Sequence, residues 1–213
     1  MQEPGLPEKL REAMLEETII QAMEDGADIE NCHFYGDELP EMENAICEFI
    51  GCFFERCHFS SCGAERLVFV DCVFEKCDLS GMIFQKATFQ RVKFSNCRMT
   101  GTQFTQAALM NISFDDCQME YINFSETKAQ HVSFTGCAMK ESVFFQFRWQ
   151  DWLLKECNMR QAEISHTQLK GLDVTSCDIG GLIVDINALR GFRVTPAQAL
   201  MLSTLLGLAI QAD

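Results

Sequence analysis

The stretch Cys77-Asp78-Leu79-Ser80-Gly81-Met82-Ile83-Phe84-Gln85-Lys86-Ala87-Thr88-Phe89-Gln90-Arg91-Val92-Lys93-Phe94 decides the fold. Its large apolar residues, Leu79, Phe84, Phe89 and Phe94, recur every fifth position, a period that neither a helix (3.6) nor a strand (2.0) sustains. Two positions before each stands a smaller residue: Cys77, Met82, Ala87 and Val92. Outward from this stretch the frame persists. Phe occupies positions 54, 59, 69, 74, 84, 89, 94, 104, 114, 124, 134 and 144, and Leu, Met, Ile, Val or Trp fills most of the remaining places as far as Leu189.

A second period rides on the first. Cys57, Cys77, Cys97, Cys117, Cys137, Cys157 and Cys177 are spaced 20 residues apart. Four five-residue sides per turn predict a square coil that stacks like on like, and each coil must bury its inward residues against its neighbours. All 12 cysteines fall in the small column. Stacked cysteines would have Cα atoms about 4.8 Å apart, but parallel side chains keep the sulfurs near that spacing instead of the ~2.05 Å of a disulfide. Cys-x4-Cys is also not the usual zinc spacing. Buried free thiols are the expectation, with no metal and no cofactor.

The ends read as caps. Residues 1–26 form an N-terminal cap with a helix expected over Pro7–Glu24, residues 27–194 form the coil, and residues 195–213 form a C-terminal segment. There Thr195-Pro196 is an N-cap with Pro at N1, and Gly207 stops the helix. Leu200, Met201, Leu202, Leu205, Leu206, Leu208 and Ile210 are more apolar than an exposed cap needs, which predicts a twofold homodimer through this helix.

The net charge of −14 argues against nonspecific association with nucleic acid or an anionic membrane. No apolar run reaches membrane length and no secretory signal opens the chain, so a cytoplasmic protein is expected. The charge is uneven, with residues 1–50 holding 14 Asp/Glu against 2 Lys/Arg. His33, His58, His131 and His166 are dispersed at outward positions, and GxSxG, HExxH, P-loop and GxGxxG motifs are absent. Paired carboxylates such as Asp115-Asp116 fall on an outer corner without a cleft, so an enzyme is not expected.

The repeat over roughly Ala27–Val194 resembles that of the pentapeptide-repeat proteins, which implies an all-β fold, a right-handed quadrilateral parallel β-helix. The C-terminal third, with Phe144-Phe145-Gln146-Phe147-Arg148-Trp149, Cys157-Asn158-Met159 and Gly191-Phe192-Arg193-Val194-Thr195-Pro196, resembles the quinolone-resistance members, in particular the chromosomal type of Gram-positive bacteria. That resemblance implies a homodimer joined by the C-terminal helix. It also implies a DNA-mimicking protein that binds DNA gyrase and topoisomerase IV, protects them from fluoroquinolones and in some members inhibits supercoiling, without touching nucleic acid directly. The plasmid-borne members carry two coil-interrupting loops, whereas the frame here runs unbroken from Cys47 to Val194. The alternative is a structural or adaptor solenoid with another protein partner.

Uniform charge mimicry fails on magnitude. A rod of about 40 Å of B-DNA carries about 23 negative charges, and residues 51–213 hold 17 acids against 15 bases. The acidic surface is therefore expected in patches. One is the N-terminal tip with Glu30, Asp37, Glu38, Glu41, Glu43 and Glu48, and the other is the side with Glu55, Glu75, Asp115, Asp116, Glu156 and Asp173. Arg91, Lys128, Arg148, Lys170 and Arg190 mark a more basic side.

Overall fold

The computed structural model describes residues 1–39, 47–59 and 67–208. Glu41, Glu43 and Ile210, named above, lie outside the described residues, as do one of the 12 cysteines, Cys62, and two short parts of the frame at 40–46 and 60–66. The rest is a square coil with a period of 20 residues. Its long strands each run along two sides and through the corner between them: β6 (Val68–Glu75), β7 (Thr88–Ser95), β8 (Ala108–Asp115), β9 (Lys128–Thr135) and β10 (Arg148–Lys155). Below them lie β2 (Ile29–Glu30), β3 (Cys32–Tyr35), β4 (Glu48–Ile50) and β5 (Phe53–Glu55). All pair in parallel and in register, as in Phe69↔Phe89↔Leu109↔Ala129↔Trp149 on the first side and Phe54↔Phe74↔Phe94↔Phe114↔Phe134 on the second. The third and fourth sides are chains of single bridges such as Asp78↔Arg98↔Gln118 and Ile83↔Gln103↔Asn123.

Why five residues make a side is visible at the corners. Asp71, Lys76, Arg91, Asn96 and Asn111 all take φ between 52° and 58°, the left-handed conformation that reverses the chain's direction by a quarter turn. A side chain there costs roughly 1 kcal/mol. Each corner N–H is bonded to the next coil, as in Lys76 N–H to the Ser95 carbonyl and Asn96 N–H to Asp115 (both 2.9 Å), so the ladder offsets the strain.

The interior is built from stacked rings. Phe54, Phe74, Phe94, Phe114 and Phe134 stack at centroid distances of 4.5, 4.8, 4.9 and 4.8 Å. Phe84, Phe104, Phe124 and Phe144 form a second column at 5.1, 5.1 and 5.2 Å. Rings of adjacent columns meet edge to face, as Phe104 does with Phe114. Each fully buried Phe contributes about 1.5–3 kcal/mol through the area it removes from water.

The small column has a chemical reason as well as a steric one. Cys77, Cys97, Cys117, Cys137 and Cys157 each donate the thiol to the carbonyl 23 residues earlier, at 3.3–3.6 Å. Thr102 and Thr167 make the same bond with their hydroxyls, at 2.7 and 2.9 Å. Where Cys or Thr occupies the column, its short side chain supplies a donor to that carbonyl, whereas Met82, Ala87 and Val92 fill the same space with apolar atoms alone.

The N-terminal cap differs from the sequence expectation. Helix α1 runs only over Leu15–Asp25, ending at Gly26 in the left-handed conformation, and the segment before it is extended, with β1 at Arg11–Glu12. The first coil presents an edge of unpaired carbonyls, and the N–H groups of Arg11 and Ala13 bond to Asn31 (2.8 Å) and His33 (3.1 Å) there. Pairing that edge wins over helix propensity. At the other end β11 (Glu163–Ile164) and β12 (Ile183–Val184) continue the fourth side, and α2 (Pro196–Ser203) follows the last coil. Among the described residues no helix is long and apolar enough to cross a membrane.

Candidate protein-interaction surfaces

The N-terminal tip keeps its acidic character but not every expected residue is free. Glu30 and Glu38 are exposed and Glu48 is half-buried. Asp37 has another task, since its carboxylate accepts the N–H of Leu15 at 3.0 Å. There it satisfies an orphan donor of α1 and faces the positive end of the helix. Helix α1 adds exposed Glu16, Glu17 and Glu24 to this end, a contribution missed when the segment was read only as a cap.

The second side is less acidic than its carboxylates suggest. Glu55, Glu75, Asp115, Asp116, Glu156 and Asp173 do share it, but so do Arg56, Lys76, Lys93, Lys155 and Arg193. Lys76 pairs with Glu75 at 2.6 Å, Lys93 with Asp115 at 3.2 Å and Lys155 with Glu156 at 3.8 Å. Glu55 stands 3.3 Å from His33, which stacks on Phe53 and bonds Glu12 at 2.9 Å. Asp173 accepts from the N–H and hydroxyl of Thr175, bonds that hold its carboxyl below the usual carboxylate range. Half of these acids thus have a lysine partner: two are the neighbour in sequence, and Lys93 reaches Asp115 from the coil below.

An N-terminal arm, residues 1–10, lies along the corner between the first and second sides. The Gly5 N–H donates to Asp71 at 2.9 Å and the Gln2 N–H to Asn111 at 2.9 Å. Pro7 lies against Gly51, where a Cβ would stand 3.5 Å from its ring and 2.8 Å from the Asn31 carboxamide. Asn111, Ser113 and Ser133 occupy outward positions of the repeat and yet are buried, with the arm's Gln2 bonded to Asn111 and Met1 in contact with Ser133. Periodicity carries no information about such an arm, which is why sequence reasoning missed it.

At the C-terminal end Thr195 and Gln198 form a capping box. The Gln198 amide, itself buried, also donates to the carbonyls of Val174 and Cys177, both at 2.9 Å, sealing the last coil. Leu202 is buried against that coil and Leu205 packs beside it, so these two of the expected interface residues are spent within their own chain. Leu200, Met201, Leu206 and Leu208 are 54 %, 44 %, 57 % and 56 % exposed. All four lie on the segment that closes the end of the coil.

Along the cysteine ladder the thiols shift in both directions: Cys57 is lowered by its contact with Cys77, and the later members are raised. The sulfur of Cys57 and burial push the Cys77 thiol up to about 12, and Cys137 with burial pushes Cys157 up to about 11. Among the described residues no three His, Cys, Asp or Glu side chains are grouped to hold a metal ion.

With this geometry in view, residues 67–144 match the family model described as Pentapeptide repeat region. That stretch is a pentapeptide-repeat region, and the same register continues on both sides of it. Among solved structures it is similar to a trypsin-treated variant of QnrB1, a plasmid-mediated fluoroquinolone resistance protein. The identity is 17 %, covering 96 % of this chain and 100 % of that one, with a TM-score of 0.34. It is also similar to HetL, a pentapeptide repeat protein involved in heterocyst differentiation regulation from the cyanobacterium Nostoc. There the identity is 11 %, covering 85 % and 94 % of the two chains, with a TM-score of 0.36. Comparison with curated proteins gives no match.

Proposed function

We propose that the protein binds a type II topoisomerase, DNA gyrase or topoisomerase IV, as a homodimeric rod and protects it from fluoroquinolones. In this reading the C-terminal helices join two rods end to end, leaving an acidic tip at each far end to meet the basic DNA-binding surface of the enzyme. The observation that carries the reading is the division of labour in the C-terminal segment. Gln198 and Leu202 close the coil, while Leu200, Met201, Leu206 and Leu208 remain outward on the segment whose sequence resembles the quinolone-resistance proteins. The mimicry is confined to the tips, because lysines beside Glu75, Asp115 and Glu156 neutralise much of the second side.

The test is supercoiling by a Gram-positive gyrase, with and without ciprofloxacin, as purified protein is titrated in. Rescue under the drug supports protection. Inhibition without rescue makes the protein a DNA-competing regulator of the same target. No effect in either arm removes the topoisomerase reading. A second reading, an adaptor solenoid with a different protein partner, is favoured by that same pairing of the second side.

A further inference from the structure

The ladder on the first side stops above β10, and side chains take over its rungs. Thr167 Oγ1 accepts the Phe147 N–H at 3.0 Å, the Trp149 indole N–H donates to the Gln168 carbonyl at 2.7 Å, and Asp185 accepts the His166 N–H at 2.6 Å. Trp149 stands where smaller residues point inward in the coils beneath, and it is only partly buried. The opening is a cleft of about 540 Å³ whose lining includes Arg148, Trp149, Gln150, Gln168 and Lys170. A second cleft of about 530 Å³ shares Gln168 and Lys170 and adds Arg190.

Four cations run diagonally across this part of the first side. Lys128 and Arg148 are direct register partners in adjacent strands. Lys170 and Arg190 follow in the next two coils, where the Gly171 N–H bonds the Gly191 carbonyl at 2.8 Å. All four are exposed. Elsewhere on the rod Lys76, Arg91, Lys93, Arg98, Lys140, Lys155 and Arg160 each have a carboxylate within 4.0 Å. Among the described residues these four have none; Lys9, Arg11, Arg56, Lys86 and Arg193 have none either, but only these four follow one another in successive coils of one side. The nearby carboxylates are otherwise engaged, Asp151 with His131 at 2.8 Å and Asp185 with the His166 N–H. Like charges directly opposite in a ladder are destabilising, so stacking Arg148 on Lys128 costs stability that a bound anion would return.

We propose that this diagonal and its cleft bind a row of linked phosphates, either a nucleic-acid strand or a free polyphosphate. The row spans about 14 Å along the axis, three coil rises, and a positively charged groove with an aromatic at its edge is the common plan of strand-binding surfaces. The total charge of the chain does not oppose this locally. The tip acids Glu30 and Glu38 are several coils below Lys128, beyond the Debye length of about 10 Å at 0.1 M salt. The inference goes beyond the topoisomerase reading and does not depend on it.

The experiment is fluorescence anisotropy of a short labelled oligothymidylate with the full chain across a salt series, with tripolyphosphate and poly-glutamate as competitors. Four phosphate contacts predict a log–log salt slope of about −2.8. The double variant Lys128→Gln, Arg148→Gln should halve that slope to about −1.4 and weaken binding at least about tenfold at about 50 mM salt. A charge-matched control, Arg56→Gln with Lys86→Gln on other sides, should bind as the parent does. Displacement by tripolyphosphate at much higher concentration than unlabelled strand assigns the strand, and equal displacement assigns free polyphosphate. No binding at low salt, equal loss in the control, or displacement by poly-glutamate as readily as by tripolyphosphate would overturn the proposal. The last result would mark an acidic protein surface as the occupant.

Discussion

Asp71 grips Arg91 of the next coil through two hydrogen bonds of 2.6 Å, and the same carboxylate accepts the N–H of Gly5 from the N-terminal arm. One side chain thus ties two coils together and pins the arm that covers Asn111 and Ser133. The bonds from Arg91 hold the Asp71 carboxyl below its usual range. A carboxyl whose folded value is depressed contributes stability that is complete above its unfolded value, near ~3.9, and is lost as pH falls through the folded value. The arm is expected to release in that acid window, read as loss of protection at the Gly5 amide. At neutral pH Asp71→Ala should release it too, with faster tryptic cleavage after Lys9 and a global loss of about 1 kcal/mol.

The buried thiols should behave as structural groups. With Cys77 at about 12 and Cys157 at about 11, a thiol reagent at about pH 8 should leave them unmodified in the native protein and titrate them after denaturation. Cys117→Thr keeps a donor for the Phe94 carbonyl and should cost less than Cys117→Ala, which loses about 1 kcal/mol or more. Equal costs for the two, measured by urea unfolding, would show that the thiol hydrogen bond contributes nothing.

Removing one ring from the Phe column should be severe. Phe94 stacks between Phe74 and Phe114 and meets Phe104 edge to face. Phe94→Ala should cost about 3–5 kcal/mol in unfolding free energy, and Phe94→Leu markedly less.

The two faces of the C-terminal segment should separate by mutation. Gln198→Ala leaves the Cys177 carbonyl without its side-chain partner, while the Val174 carbonyl keeps only the Cys177 N–H, and should destabilise the last coil by about 1–3 kcal/mol. Leu200→Glu with Leu206→Glu should leave the unfolding midpoint of that coil nearly unchanged and convert a dimer to a monomer in analytical ultracentrifugation. A parent protein that is already monomeric would remove the end-to-end dimer from the account.

Most of the coil was legible because its period is enforced at every turn: a residue at a Phe94 or Cys97 position has one inward orientation, and the sequence repeats the requirement every 20 residues. Three features were not. The arm is held by backbone N–H groups donating to Asp71 and Asn111, bonds that any residue types at Gly5 and Gln2 could make. The helix expected from Pro7 starts at Leu15 because an unpaired coil edge competes for Arg11 and Ala13, a tertiary demand that local propensity does not encode. Charge was misjudged for a related reason. Counting carboxylates on the second side locates them correctly, but whether Asp115 is free depends on Lys93 one coil below, and only the register reveals that pairing. The tip acids Glu30 and Glu38 were legible, whereas Asp37 looked equivalent to them until the start of α1 was placed above it.

The measurement that tests the central claim most directly is surface plasmon resonance of the protein over immobilised gyrase, with double-stranded DNA as competitor. The account predicts saturable binding that DNA displaces and that Glu30→Gln with Glu38→Gln weakens. No binding to a gyrase shown to be active, or binding that DNA leaves untouched, would contradict it.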